Sequence, residues 1–219
     1  MLQIYEMLHS PYCIPITMML KASGKEYESI TVLNWDRSKV IELTGGAYYQ
    51  VPVLVDGDEV VSESDDSSLN VAQYVNEKFV SNEMFPTRIS GIHEVMVSYI
   101  EDELEGFGFK LCDIHYLPAI EDLSQRTAVI RHKERRFGRG CVDAWRAKAD
   151  SLQAEFTSAL NRFEGTLTEN RFLFGEEPVY ADYALAGVIG NFTYPEANEL
   201  DADQSWLRDW LHRLSEFRC

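Results

Sequence analysis

The chain has 219 residues, 45% of them hydrophobic, which is enough for a sizeable core and fits two small domains as well as one large one. Its 36 acidic residues outweigh 20 basic ones, giving a formal charge of −16 that would repel a phosphate backbone and argues against nucleic acid or an anionic membrane as partner. The N-terminal MLQIYEMLHSPYC lacks the basic start and apolar run of a secretory leader, and no stretch approaches the ~20 apolar residues of a membrane span. Cys13, Cys112, Cys141 and Cys219 are too scattered for a disulfide framework or a zinc site, so a cytoplasmic protein with reduced thiols is expected.

The run Leu2 to Met7 reads as a strand that stops at His9-Ser10-Pro11. A helix should start there, with Ser10 as its N-cap and Pro11 in its first turn, and continue to about Gly24. Tyr27 to Val32 supplies a second strand, and Asp36 to Leu43 a short helical or irregular crossover ending at Gly45-Gly46. Val51 to Val55 and Glu59 to Ser62, joined by Asp56-Gly57-Asp58, read as a hairpin, and a helix from about Ser67 to Phe79 follows.

The order β-α-β-α-β-β-α over residues 1–80 is that of an α/β thioredoxin-like domain. Residues 81–90 read as a linker. From 91 to 219 the hairpin signals vanish and amphipathic segments predict an all-helical domain, with helices over about 91–111, 117–136, 142–168, 182–192 and 203–217. The last two residues, Arg218 and Cys219, are expected to be loose.

Chemistry concentrates where the first strand hands over to the first helix. A helix N-terminus offers unpaired N–H groups and the positive end of a dipole, so it favours an anion, including a thiolate. The hydroxyl of Ser10 could donate a hydrogen bond to such a thiolate, or serve only as a cap. Ser10-Pro11-Tyr12-Cys13 also has the C-x-x-C spacing with serine in the first place, which excludes a dithiol cycle there and leaves Cys13 either as a monothiol reagent or as a small packed residue. Pro52, just inside a strand, cannot donate to a sheet ladder, and a cis bond there would turn the Val51 peptide groups toward a peptide-like ligand. Ser67 and Ser68 open the next helix and could hold a carboxylate or simply cap it.

Together these segments resemble the glutathione transferase family over nearly the whole chain. Ser10-Pro11-Tyr12 looks like its Ser-Pro-aromatic active-site loop, which implies Ser10 as the catalytic residue. Gln50-Val51-Pro52-Val53-Leu54, followed by Asp56-Gly57, is similar to the family's Val-Pro-x-Leu segment with its cis-proline, implying that Gln50, Val51 and Pro52 bind glutathione. Ser67-Ser68-Leu69-Asn70-Val71 matches the acidic-Ser helix start that holds the glutamyl group, with Ser67 standing where an acidic residue is usual. Glu63-Ser64 is a second acidic-Ser pair at a fitting distance from Gly57, and Ser68 is preferred because its spacing to Val71 and Tyr74 keeps the helix intact. In the C-terminal half, Phe172 to Gly175 and Ala181-Asp182 resemble the family's Leu-x-Gly and Ala-Asp helix start, with Val179 in place of the Ser or Thr that would complete a capping box with Asp182.

The resemblance implies glutathione as co-substrate, no metal, a homodimer, and a small electrophile bound between the domains, beside Ser10. Tyr99, Phe107, Phe109 and Tyr116 are candidates by location for that second site, although aromatics at such spacing are more often core. His9 adjoins Ser10, but neighbours in a strand point to opposite faces, so a general-base role is not expected. The expected activity is detoxifying transfer: Ser10 and the helix N-terminus stabilise the glutathione thiolate, which attacks an apolar electrophile. Its rivals are a thiol transferase or reductase using Cys13, a β-aryl-ether-cleaving lyase, and a non-catalytic binding protein of the same fold.

Overall fold

A computed structural model describes residues 1–64, 67, 69–81 and 83–219. Ser68, one of the expected glutathione contacts, lies outside the described residues.

The N-terminal sheet runs in the order β2-β1-β3-β4. β1 (Leu2–Glu6) lies inside it, parallel to β2 (Tyr27–Thr31) and antiparallel to β3 (Val53–Asp56), which pairs in turn with β4 (Glu59–Ser62). The residues explain the positions: Leu2, Ile4 and Tyr5 of β1 are buried, whereas the polar YESIT of β2 suits an edge. Gly57, at φ +64°, takes the left-handed conformation that the β3–β4 turn demands. Helices α1 (Cys13–Ala22), α2 (Ser38–Leu43) and α3 (Asn70–Phe79) complete this part, and the Tyr74 hydroxyl of α3 is shared between the Asp56 and Glu59 carboxylates of the hairpin, at 3.1 and 3.0 Å.

Several expected helix boundaries move: the first helix opens at Cys13, two residues after Pro11, and the expected helix over 142–168 is divided into three, 141–147, 149–160 and 164–169. α3 starts at Asn70, not Ser67: the Glu63 carboxylate reaches across to accept from the Asn70 and Val71 N–H groups at 2.7 and 3.2 Å, while Ser64 and Ser67 pair with each other through their backbones. The expected helix over 117–136 is broken after α5 (Glu105–Ala119), and α6 (Leu123–Phe137) restarts at Asp122, whose Oδ1 accepts from the Ser124 and Gln125 N–H groups.

The rest is helical. α4 (Ser90–Ser98) runs through one π-helical stretch, Tyr99–Leu104, into α5. α7 (Cys141–Ala147), α8 (Ala149–Leu160), α9 (Glu164–Glu169), α10 (Tyr180–Phe192) and α11 (Ser205–Glu216) follow. Within 81–90 the chain is tied down: Met84 is fully buried and its carbonyl accepts from the Tyr180 N–H of α10 at 2.8 Å. Among the described residues no helix is long and apolar enough to cross a membrane.

Nearly every residue of α10 is buried, which is why its sequence, YADYALAGVIGNF, is apolar on all sides. Its N-terminus solves the incomplete capping box. Asp182 accepts from the Val179 N–H at 3.0 Å, and the missing hydroxyl is replaced by the Val179 carbonyl, which accepts from the Asp182 N–H at 2.9 Å. The Ala181 N–H is taken by Nε2 of buried His93, at 3.2 Å. Asp182, itself fully buried, also accepts from the Leu173 N–H and the Trp210 indole. The C-terminal residues are anchored, contrary to expectation: the Cys219 N–H donates to the Ala22 carbonyl of α1 at 3.0 Å, and Phe217 packs edge-on against Phe172.

Candidate active site

The loop Met7 to Tyr12 turns the chain from β1 into α1. Ser10 is almost fully buried, and its Oγ accepts from the Tyr12 and Cys13 N–H groups, both at 3.3 Å, while its carbonyl accepts from Cys13 and Ile14. Ser10 therefore caps the turn that leads into α1, and it also lines a cleft between the sheet side and α5 and α6. Capping uses the oxygen as acceptor and leaves the hydroxyl proton to be given. Cys13 has no exposed surface, and burial pushes its thiol up to about 12 against the opposing influence of Ser10 and the Met7 backbone. A thiol so placed stays protonated and out of reach, which counts against the monothiol reading.

α10 holds this loop from behind. A Cβ on Gly187 would lie 2.3 Å from the Pro11 carbonyl oxygen and 2.8 Å from the Pro15 ring, so only glycine lets the helix approach this closely. One turn further on, Asn191 donates through Nδ2 to the His9 carbonyl, and its Oδ1 is buried with no hydrogen-bond partner at the cleft.

The Val51–Pro52 peptide is cis, and Gln50 and Val51 line the same cleft as Ser10. Ser67 does not join them: its Oγ accepts from the Leu69 N–H, ahead of the helix. The group at the start of α3 is Glu63, whose carboxyl is pushed up to about 7 by burial although two backbone N–H groups oppose the shift.

His9 does line the cleft beside Ser10, because β1 ends at Glu6 and strand alternation no longer governs the turn. Its ring lies 4.2 Å from that of Tyr116 and 5.2 Å from that of Tyr194. Burial, then Lys133 and Arg37, lower its pKa to about 4, which makes it a poor general base at neutral pH. Of the four aromatic candidates only Phe109 lines the cleft; Tyr99 instead packs near Phe163 and accepts from Arg162.

The cations of the site are absent from the expectations. Arg37 donates through Nη2 to Asn34 Oδ1 at 3.2 Å, and its Nη1 is buried without a hydrogen-bond partner. Opposite, α6 contributes His132, Lys133 and Arg136. Lys133 pairs with the buried Asp113 carboxylate at 2.8 Å. Glu105 faces them from α5, its carboxyl pushed up to about 7 by burial against the pull of Lys133 and Arg136, and Tyr12 is raised by burial and by Glu105 and Glu101. Glu101, held by the Tyr180 hydroxyl at 3.1 Å, is likewise pushed by burial to about 7. A molecule with an acidic surface thus presents a cleft with basic walls, suited to an anionic ligand.

Two family models match this chain, the glutathione S-transferase N-terminal domain over residues 9–67 and the glutathione S-transferase C-terminal domain over residues 127–217. The chain belongs to the glutathione S-transferase superfamily. Its fold is shared by glutathione transferase GSTFuA3 from Phanerochaete chrysosporium, at 15% identity and a TM-score of 0.79, with 100% of this chain and 97% of that one covered. Glutaredoxin 2 from Salmonella typhimurium, solved in complex with glutathione, matches at 17% identity and a TM-score of 0.73, covering 100% and 96%. A glutathione S-transferase from Rhodospirillum rubrum F11 matches at 15% identity and a TM-score of 0.70, covering 99% and 88%. The expected two-part architecture, a small mixed sheet with helices and then a helical region, is the superfamily's.

Proposed function

We propose that the protein is a glutathione transferase that lowers the pKa of the glutathione thiol and directs the thiolate at an electrophile with an apolar body. The observation that carries this reading is the convergence on one cleft of Ser10 at the start of α1, the cis peptide after Val51, and the basic side chains of Arg37 and α6. The Ser10 hydroxyl and the N-terminus of α1 favour the thiolate, Gln50 and Val51 meet the cysteinyl backbone, and the basic walls suit an anionic tripeptide. The glutamyl end falls to the start of α3, where Ser67, Ser68 and Glu63 are the candidates. The electrophile lies across the cleft against Phe109 and Phe137, and the enzyme contributes proximity and pKa tuning without a metal.

A second copy of the chain is expected to cover the exposed Ile92 and Val95 of α4, and the reaction belongs in the reducing cytoplasm, where reduced glutathione is the abundant thiol.

Calorimetric titration with reduced glutathione, with the ultraviolet absorbance of the bound thiolate followed across pH, tests the reading. Saturable binding with a depressed thiol pKa is expected, and Ser10→Ala should raise that pKa by about one unit, equivalent to about 1.4 kcal/mol. No binding at millimolar glutathione would end the transferase reading; an unchanged thiol pKa would remove Ser10 from the mechanism.

A further inference from the structure

The chain carries a formal charge of −16, yet between residues 126 and 139 six basic residues stand against one acidic residue, Glu134. Glu134 is already occupied by Arg131 and by the Gly140 N–H. On the cleft side of α6, Lys133 is occupied by Asp113, while Arg136 has no carboxylate within ion-pair distance among the described residues. Its guanidinium lies 5.1 Å from the centre of the Phe137 ring. That ring is 38% exposed and forms a cluster with Phe109 and Trp145, at centroid distances of 5.2 and 5.5 Å. An exposed aromatic surface with an unpaired guanidinium at its edge is the complement of a flat ring bearing a negative group. Glu105, on the facing wall, carries less than a full negative charge near neutral pH and opposes an anion only weakly.

The geometry points to an anionic aromatic compound as the electrophile, its ring laid against Phe137 and Phe109 and its carboxylate or sulfonate held by Arg136. This rests on the transferase reading and narrows its substrate class. With a chloronitroarene as acceptor the step balances simply. The glutathione sulfur attacks the ring carbon that bears chlorine, the C–S bond forms, the C–Cl bond breaks, chloride leaves with the electron pair, and the thiol proton goes to solvent.

Two pairs of probes test it. In turnover, kcat/KM for 4-chloro-3,5-dinitrobenzoate and for 1-chloro-2,4-dinitrobenzene is each normalised to the uncatalysed reaction with glutathione. In binding, the affinity for 8-anilinonaphthalene-1-sulfonate is compared with that for neutral N-phenyl-1-naphthylamine, which needs no turnover. Wild type should favour the anionic member of each pair; Arg136→Gln should lower both preferences about tenfold, Arg136→Glu further, and rising salt should erode them. Arg139→Gln, which removes the same charge from a neighbouring exposed position, should leave both preferences in place. Equal preferences in wild type and Arg136→Gln, or an equal loss in Arg139→Gln, would overturn the assignment of Arg136. Anion-selective dye binding that depends on Arg136, with neither acceptor turned over, would support the anion site and refute the transferase reading; turnover without anion preference would do the reverse.

Discussion

Gly187→Ala sets two known effects against each other. Alanine in a helix interior is favoured over glycine by about 1 kcal/mol, so on propensity alone the substitution should stabilise α10. The new Cβ, however, would sit 2.3 Å from the Pro11 carbonyl oxygen and 2.8 Å from two carbons of the Pro15 ring. Neither group is the free end of a side chain, so the helix and the loop must separate by about 1 Å to restore ordinary contact. Such overpacking costs about 1–3 kcal/mol, and with backbone on one side of the clash the upper part of that range applies. The clash outweighs the propensity, and a net loss of about 1–2 kcal/mol is expected. Gly106→Ala is the matched control: its Cβ would meet nothing within 4 Å, so it should gain up to about 1 kcal/mol. Urea unfolding midpoints at a common slope measure both. Because Pro11 adjoins Ser10, the Gly187 variant should also bind glutathione more weakly. A Gly187→Ala protein as stable as wild type, binding glutathione normally, would refute the claim that this close approach sets the position of the loop.

Asp182→Ala leaves the Leu173, Val179 and Trp210 N–H donors without their acceptor in a fully buried place, so a loss of about 3–5 kcal/mol is expected in the same unfolding assay, and a loss under 1 kcal/mol would contradict the capping role. Glu63, Glu101 and Glu105 each have a folded pKa near 7, above the ordinary value of 4.5; the native state therefore holds protons that the unfolded state has released, and stability should fall as pH rises through that interval. His93, lowered by burial while its Nε2 accepts from Ala181, acts in the opposite sense, with stability lost as pH falls below 6.5. Between pH 6.5 and about 7, above the range of His93, the carboxyl slope should dominate, and Glu101→Gln should flatten it; a slope unaltered in that variant would count against the raised value. Val95→Glu, at a residue 64% exposed on α4, should convert a dimer to monomer by light scattering without loss of helicity, and a monomeric wild type would exclude the dimer.

The strands were legible because their signals are local: buried alternation in Leu2, Ile4 and the hairpin around Gly57 need no distant partner. The Ser10 cap and the turn at Pro11 were readable for the same reason. Helix starts were harder. α3 is capped by Glu63, seven residues before Asn70, and the N-terminal N–H groups of α10 are met by Met84 and His93, about ninety residues away. No rule applied within a few residues finds such partners, so the hydroxyls of Ser67 and Ser68 drew the boundary too early. The orientation of His9, though not its unsuitability as a base, was misread because strand alternation was carried into a turn. Arg37, Asn191 and Arg136 come from a loop, α10 and α6, and only the packed molecule shows that they face one cleft. The basic character of α6 was visible in the sequence but was averaged away by the net charge.

α1 is held at both ends by the helical part of the molecule, through Gly187 and Asn191 at the loop Met7 to Tyr12 and through Cys219 at the Ala22 carbonyl. In hydrogen-exchange terms, the amides of α1 and α10 should therefore open together, at a free energy close to that of the whole molecule. The end of α3 at Phe79 is then not a boundary of cooperativity, and a fragment ending there would lose the support that shapes its own loop from Met7 to Tyr12.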